Sequence, residues 1–337
     1  MQEALFYKKL EDKKIQCKLC KHGCIIADNK HGICTIRENK EGTLYTLTYN
    51  RPCALNVDPI EKKPLFHFFP GSKSFSIATA GCNFKCLHCQ NYDISQASSD
   101  RKNIPDQETA PEKIVDLALK SGCKSIAYTY TEPTVYYEYA YDIAKLAKEK
   151  NIYNIFVTNG YIEEEPLSAI RPYLDAANID LKGFNEAFYR KVCGAKLSHV
   201  LDTIKSYKKL GIWIEITTLI IPGHNDSETE LRAIAQFIKK ELGVETPWHV
   251  SAFYPTYKLL DARRTPPETL YRARKIGIEE GLRYVYEGNI PGSDGENTHC
   301  YDCKKLVIRR HGFSISEYNI KDGACQFCGA IIDGIGL

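Results

Sequence analysis

No apolar stretch in the 337 residues approaches the roughly 18 needed to cross a bilayer as a helix, so no membrane span is expected. The first residues, MQEALFYKKLEDKK, carry no apolar run of the kind found in a secretory leader. A soluble, cytoplasmic protein is the expectation that follows. Formal net charge is only +3. No segment is a long run of lysine or arginine and no basic stripe is interleaved with aromatic residues, so a nucleic-acid partner has no clear signal. Glycine-rich loops closing on a lysine are missing, as is a GxGxxG after a strand, which removes support for nucleotide hydrolysis and dinucleotide binding. Internal repeats and low-complexity tracts are also lacking.

Cysteine is what the chain has in plenty: 14 residues. Without an export signal, disulfides are disfavoured and metal binding becomes the expected use of so many thiols. They are clustered. Cys17, Cys20, Cys24 and Cys34 lie near the start, Cys82, Cys86 and Cys89 in the first third, and Cys300, Cys303, Cys325 and Cys328 near the end. Cys53, Cys123 and Cys193 remain, and are expected to be ordinary buried cysteines.

Between about Lys73 and Glu287, short apolar runs alternate with helical periodicity. Strands are expected over 74–78, 125–128, 152–157, 176–181, 212–219, 246–253 and 284–287. Helices are expected over 111–121, 135–150, 166–173, parts of 185–210, 226–242 with Asp226 or Ser227 as cap, and 267–280. Such alternation implies an α/β fold with a parallel sheet and helical crossovers, either a partial or full barrel or a doubly wound sheet. In both, ligands gather at the carboxyl ends of the strands. The expected organisation is a cysteine-rich N-terminal region over 1–72, with a hairpin-like stretch at Gly42–Tyr49, a core domain over 73–290, and a small module over 291–337.

Gly81-Cys-Asn-Phe-Lys-Cys-Leu-His-Cys89 follows the first expected strand of that core. The spacing is C-x3-C-x2-C. Three thiolates can ligate three irons of a cubane cluster and leave the fourth iron open to a substrate. Gly81 lets the backbone turn sharply there. A zinc site that recruits His88 is the alternative, and the crowding of neighbours in so short a loop stands against it. The triplet, its place after a first strand and the βα pattern that follows resemble the radical S-adenosylmethionine (SAM) superfamily. That resemblance implies a [4Fe-4S] cluster on Cys82, Cys86 and Cys89 whose open iron chelates the amino and carboxylate groups of SAM. One-electron reduction then releases a 5′-deoxyadenosyl radical.

Further segments carry the same resemblance. Tyr128-Thr-Tyr-Thr-Glu-Pro133 resembles the superfamily's Gly-Gly-Glu-Pro segment, which implies that Glu132 binds the SAM amino group, with Tyr130 and Thr131 in place of the glycines. An acid at a helix N-terminus is the plainer reading of Glu132. Asn178-Ile-Asp-Leu-Lys182 is similar to the Asp-x-Lys segment of glycyl-radical-enzyme activases, where the pair contacts the SAM ribose or carboxylate. On a strand Asp180 and Lys182 point to one side, and a charged pair facing a barrel interior is expensive unless it meets a ligand or each other. Thr158-Asn-Gly160 matches the Thr-Asn-Gly of the same activases and brings Asn159 into the candidate site, although alone it is a common turn. Leu219–Asp226 resembles their Val-Pro-Gly segment, expected near the adenine. His249, on the sixth expected strand, is either a SAM contact or a satisfied core histidine.

Asp58–Phe68 and Cys20-Lys-His-Gly-Cys24 carry a closer resemblance, to the radical SAM component of the AmmeMemoRadiSam system, similar to pyruvate formate-lyase activases. This implies SAM and a cluster but names no substrate. A protein substrate, an electron donor such as ferredoxin or flavodoxin, and the two companion protein types of that system are the partners it points to. No residue identifies itself as a catalytic hydrogen-atom donor.

Cys300-x2-Cys303 and Cys325-x2-Cys328 are paired knuckles that point to a four-cysteine zinc site, with a short hairpin over 304–318. Zinc there would contribute folding energy in a segment too short to build a core; an auxiliary iron–sulfur cluster or a rubredoxin-like iron is the alternative. Cys17, Cys20, Cys24 and Cys34 suit zinc first and an auxiliary [4Fe-4S] cluster second, with His22 as a substitute ligand. Two other functions compete with a radical enzyme. A zinc-ribbon adaptor for protein or nucleic acid leaves the central triplet unused. A ferredoxin-type carrier would close its clusters with four cysteines and would not need so long a chain.

Overall fold

The computed structural model describes residues 1–96, 104–290 and 292–337. One eight-stranded sheet organises them: β1 (Pro52–Pro59), β2 (Lys73–Thr79), β3 (Ser125–Tyr128), β4 (Tyr153–Thr158), β5 (Ala176–Asp180), β6 (Trp213–Ile220), β7 (Trp248–Ala252) and β8 (Val285–Gly288). The strands lie side by side in chain order. β1 runs antiparallel to β2, and every later neighbour pair is parallel. Helices α1 (Pro111–Lys120), α2 (Tyr137–Glu149), α3 (Glu164–Ile170), α4 (Leu197–Lys209), α5 (Glu228–Phe237) and α6 (Pro267–Glu279) make the crossovers. Right-handed crossovers between strands in unbroken order place all helices on one face. The doubly wound alternative, which needs a reversal of strand order, is thereby excluded. Twist curls the sheet into a partial barrel; β1 and β8 end the strand order and do not pair with each other.

The local reasons are legible. β3 is buried at every position, as a parallel strand covered on both faces requires. α1 opens on Pro111, buries Ile114, Val115 and Ala118, and stops where Gly122 turns left-handed at φ +64°. Ser227, not Asp226, caps α5, its hydroxyl accepting from the amide of Glu230 at 3.3 Å. The stretch over 185–210 is a short helix, Glu186–Phe188, running into a π turn over Tyr189–Cys193, then α4. The hairpin-like stretch at Gly42–Tyr49 needs correction. Only Thr43–Thr46 is a strand, and it pairs with Arg37–Lys40, joined through Glu41-Gly42, and with Gln2–Glu3 on its other side. The polar partner shows no alternation, so its pairing had no signal.

The segment between β1 and β2 plugs the curled sheet: Ile60, Leu65 and Phe68 pack on Ala127, Ile155 and Ala176 of its inner face. Residues 298–335 cover the open side. Arg310 donates to the Phe66 carbonyl at 2.9 Å, Ile335 exchanges 2.8 Å backbone bonds with His67 and Phe69, and Asp333 pairs with Arg283 at 2.8 Å. Near the start are two small three-stranded antiparallel sheets, and the one that holds Arg37 docks on α2 through the buried pair Arg37–Glu138 at 3.0 Å. Among the described residues no helix is long and apolar enough to cross a membrane.

Candidate metal and cofactor site

β2 ends at Thr79, and Gly81 turns the chain with φ +101°. A Cβ at that position would lie 2.8 Å from Ile36 Cγ2 and 3.2 Å from the Cys34 carbonyl, so both conformation and space demand glycine. Cys82, Cys86 and Cys89 then line one cavity of about 990 Å³ at the carboxyl edge of the sheet. The loop is tied down along its length. Phe84 N donates to Cys82 Sγ at 3.3 Å, Lys85 N and Leu87 N donate at 2.9 Å to the carbonyls of Cys193 and Val192, and Cys89 Sγ lies 3.1 Å from Ser95 Oγ. Cys193 is buried in the core, as expected, and its carbonyl holds the loop at Lys85.

These three thiols surround a space without converging on a point. Among the described residues, the four whose ligand atoms all lie within 4.8 Å of one another are Cys300, Cys303, Cys325 and Cys328. Thiolates that each take a separate iron of a cubane have no need to meet, whereas one tetrahedral ion requires it. The spread does not favour a single zinc shared with His88. That ring is buried, stacks on Phe188, and burial pulls it down to about 3.

Four other expected residues, Glu132, Asn159, Asp180 and Lys182, line the same cavity. Glu132, in the loop that follows β3, is 1% exposed. Its carboxylate accepts from Thr134 N at 3.0 Å, Thr134 Oγ1 at 2.6 Å, Thr158 Oγ1 at 2.8 Å and Asn159 N at 2.8 Å. Burial nevertheless pushes it above the usual carboxylate range. It caps the short helix Pro133–Tyr136 and also lines the cavity. Asn159 joins it to the cysteine loop, donating to Asn83 Oδ1 at 2.8 Å with Cys82 Sγ at 3.8 Å. Lys182 Nζ meets Asp180 at 2.7 Å. Burial would lower Lys182, but Asp180 and the thiols of Cys86 and Cys193 raise it well above its ordinary value. Leu219 also lines the cavity, and Asn225 fastens the loop behind it by donating to the carbonyls of Lys182 and Leu219 at 2.7 and 2.9 Å.

His249 reaches the cavity wall as well, but its Nε2 lies 2.7 Å from Glu215. Glu215 also accepts from the amides of Phe66 and His67. Despite burial, His249 and its neighbours hold that carboxylate below the usual range. The imidazole is therefore already satisfied on one nitrogen.

One group escaped sequence reasoning. Asp58 accepts from Lys62 at 2.8 Å, Lys63 at 2.6 Å, Ser76 at 2.7 Å and the Tyr130 hydroxyl. Burial works against its charge, but these donors hold it well below the usual range; burial draws Lys63 down to about 8 despite Asp58. Tyr130 has φ +64°, a left-handed conformation that glycine adopts freely. That explains how it can stand where the resemblance has glycine. Its strain is held by the bond to Asp58 and by Asn91, which donates to its carbonyl at 2.7 Å.

Near the C-terminus, strands Leu306–His311 and Ser314–Tyr318 form the expected hairpin. Left-handed Lys304 and Gly329 turn the two knuckles. Four sulfurs at about 2.3 Å from one zinc stand about 3.8 Å apart. The Cys300–Cys328 and Cys303–Cys325 sulfurs are 3.7 and 3.8 Å apart, so this donor set fits one tetrahedral ion. Cys17, Cys20, Cys24 and Cys34 line a separate small cavity. His22 borders it but places its Nε2 2.8 Å from the Asn83 carbonyl.

The chain is similar to known proteins along most of its length. Residues 76–237 match the sequence pattern of the family described as the Radical SAM superfamily. An uncharacterised protein of Methanocaldococcus jannaschii is 52% identical over 99% of both chains. A putative glycyl-radical enzyme activating enzyme of the same organism is 25% identical, over 62% of this chain and 78% of its own. The pyruvate formate-lyase-activating enzyme of Clostridium pasteurianum is 25% identical over 61% of this chain and 89% of its own. The crystal structure of a radical SAM methyltransferase from Sphaerobacter thermophilus superposes with TM-score 0.51 at 14% identity, covering 68% of this chain and 71% of that one.

Proposed function

Since this chain belongs to the radical SAM superfamily and is an enzyme of it, we propose that Cys82, Cys86 and Cys89 hold the [4Fe-4S] cluster at which it cleaves SAM. The observation that carries this is the arrangement of three non-converging thiols around one cavity that also receives Glu132, Asn159, Asp180 and Lys182. When bound, the cluster and SAM supply one-electron cleavage of a carbon–sulfur bond and, from it, hydrogen-atom abstraction.

The chain's own residues orient and shelter. Lys182 offers its ammonium to a carboxylate, and Asp180 beside it accepts from hydroxyl groups. The carboxylate of Glu132 faces an amino group, preoriented by its four donors. Asn159 positions the Cys82 loop. His249 is a positioning residue, held by Glu215 against the cavity wall. The four C-terminal cysteines hold a structural zinc that keeps residues 298–335 over the open side of the barrel. With that assignment we divide the chain into an N-terminal region over 1–72, a catalytic core over 73–290 and a zinc module over 291–337.

A protein substrate and a one-electron donor of the ferredoxin or flavodoxin type fit the activating-enzyme relatives. A reducing, cytoplasmic setting fits fourteen unpaired cysteines. The adaptor reading is not favoured, because it leaves the triplet and its cavity without a use.

The test is anaerobic reconstitution with iron and sulfide, reduction by dithionite in the presence of SAM, and assay of 5′-deoxyadenosine beside Cys86→Ala. Product from the wild type alone is expected. No product from protein that holds a reduced cluster would overturn the assignment.

A further inference from the structure

The N-terminal thiols are arranged unlike the C-terminal four. Cys17, Cys20, Cys24 and Cys34 line one small cavity, walled otherwise by apolar side chains such as Leu19, Ile26 and Val135. Their sulfurs do not form a group mutually within 4.8 Å, as those of Cys300, Cys303, Cys325 and Cys328 do. A single tetrahedral zinc needs sulfurs about 3.8 Å apart. Four thiols that ring a space instead suit a group in which each sulfur has its own metal atom.

Arg37 is the second, independent observation. Its side chain is 2% exposed and lines the same cavity. Its terminal nitrogens are used, donating to Glu138 at 3.1 and 3.0 Å and to the Leu5 carbonyl at 2.8 Å. Its Nε has no partner. A buried N–H without an acceptor is costly, and cluster or thiolate sulfur is an acceptor at that wall. Because Glu138 offsets the guanidinium charge, Arg37 contributes a donor more than a net charge.

The cavity also adjoins the first cysteine loop. Asn83, next to Cys82, is part of its wall, and its carbonyl is bound by His22. The Cys34 carbonyl and Ile36 press on Gly81.

We propose that Cys17, Cys20, Cys24 and Cys34 ligate a second [4Fe-4S] cluster, with the Arg37 Nε–H donating to its sulfur, in the layer directly behind the Cys82 loop. The choice over zinc rests on the ring of thiols and the unmet donor, and is independent of whether SAM is cleaved at the first site.

The test counts metal in the full chain after anaerobic reconstitution. Wild type should hold about eight irons and eight acid-labile sulfides with about one zinc. About four irons, four sulfides and two zincs would overturn the proposal, as would about four irons with one zinc. The triple variant Cys82→Ala, Cys86→Ala, Cys89→Ala leaves the N-terminal set intact. It should keep about four irons and four sulfides and give a paramagnetic signal on reduction; loss of all sulfide overturns the assignment. A wild type that makes no 5′-deoxyadenosine yet gives these counts would sink the function and leave this site standing, so the two failures are distinguishable.

Discussion

Asn159 donates from its side chain to Asn83 at 2.8 Å and so ties the end of β4 to the residue after Cys82. Its own Oδ1 accepts from Tyr161 N at 3.0 Å. Asn159→Ala removes both bonds at a site that is 5% exposed. Unmet buried partners cost about 1–3 kcal/mol, so the melting temperature should fall by roughly a few degrees. 5′-Deoxyadenosine formation should drop by about tenfold or more while bound iron is kept. Anaerobic melting and a product assay on the same sample check this, and unchanged turnover would remove Asn159 from the site.

Lys182 and Asp180, 2.7 Å apart, supply the site's paired charges. A hydrogen bond to a charged group is worth about 1.5–3 kcal/mol. Lys182→Ala should therefore weaken SAM binding by about ten- to a hundredfold, with partial recovery in Lys182→Arg. Anaerobic calorimetry measures it. Equal affinity in all three proteins would show that the pair serves the fold alone.

His67 makes stability depend on pH. Its ring sits between the Asp333 carbonyl at 2.6 Å and the Tyr286 hydroxyl at 2.5 Å, and burial lowers it from 6.5 to about 4. The unfolded chain therefore takes up the proton first. The stability this neutral ring contributes is complete above about pH 6.5 and is lost as pH falls towards 4, on the order of 3 kcal/mol in all. Urea unfolding of the wild type should show the slope across that window, and His67→Phe a shallower one. Parallel curves would place the titration elsewhere.

Removal of the zinc proposed for Cys300, Cys303, Cys325 and Cys328 should act beyond residues 298–335. Structural zinc contributes roughly 10 kcal/mol to small folds, so Cys303→Ala should leave residues 298–335 without hydrogen-exchange protection. The Arg310 bond to Phe66 and the Arg283–Asp333 pair would go with it, lowering the stability of the barrel core. Metal analysis beside exchange mass spectrometry tests both halves. Full protection in a zinc-free protein would refute the structural role.

Much of the fold was legible because its signals are local. The βα alternation, the Pro111 start of α1 and the glycine after it each depend on neighbours in sequence. The Cys82–Cys89 triplet is equally local. His249 was ambiguous from sequence, since only Glu215, on the neighbouring strand, shows that one nitrogen is already taken. Tyr130 looked like a departure from a glycine motif. Its left-handed backbone is held by Asp58 and Asn91, partners that no spacing rule connects to it.

The sequence by itself determined the order of strands and helices and the supply of metal-binding groups, because periodicity and ligand spacing act over a few residues. Tertiary structure decided which thiols converge and which only surround a space, and which charges are neutralised. Those outcomes rest on distances between segments far apart in the chain, as with Arg37 and Glu138, 101 residues apart yet bonded at 3.0 Å. A pairing at that range is set by how the N-terminal sheets dock on α2, and burial makes it binding, since neither charge has water to turn to.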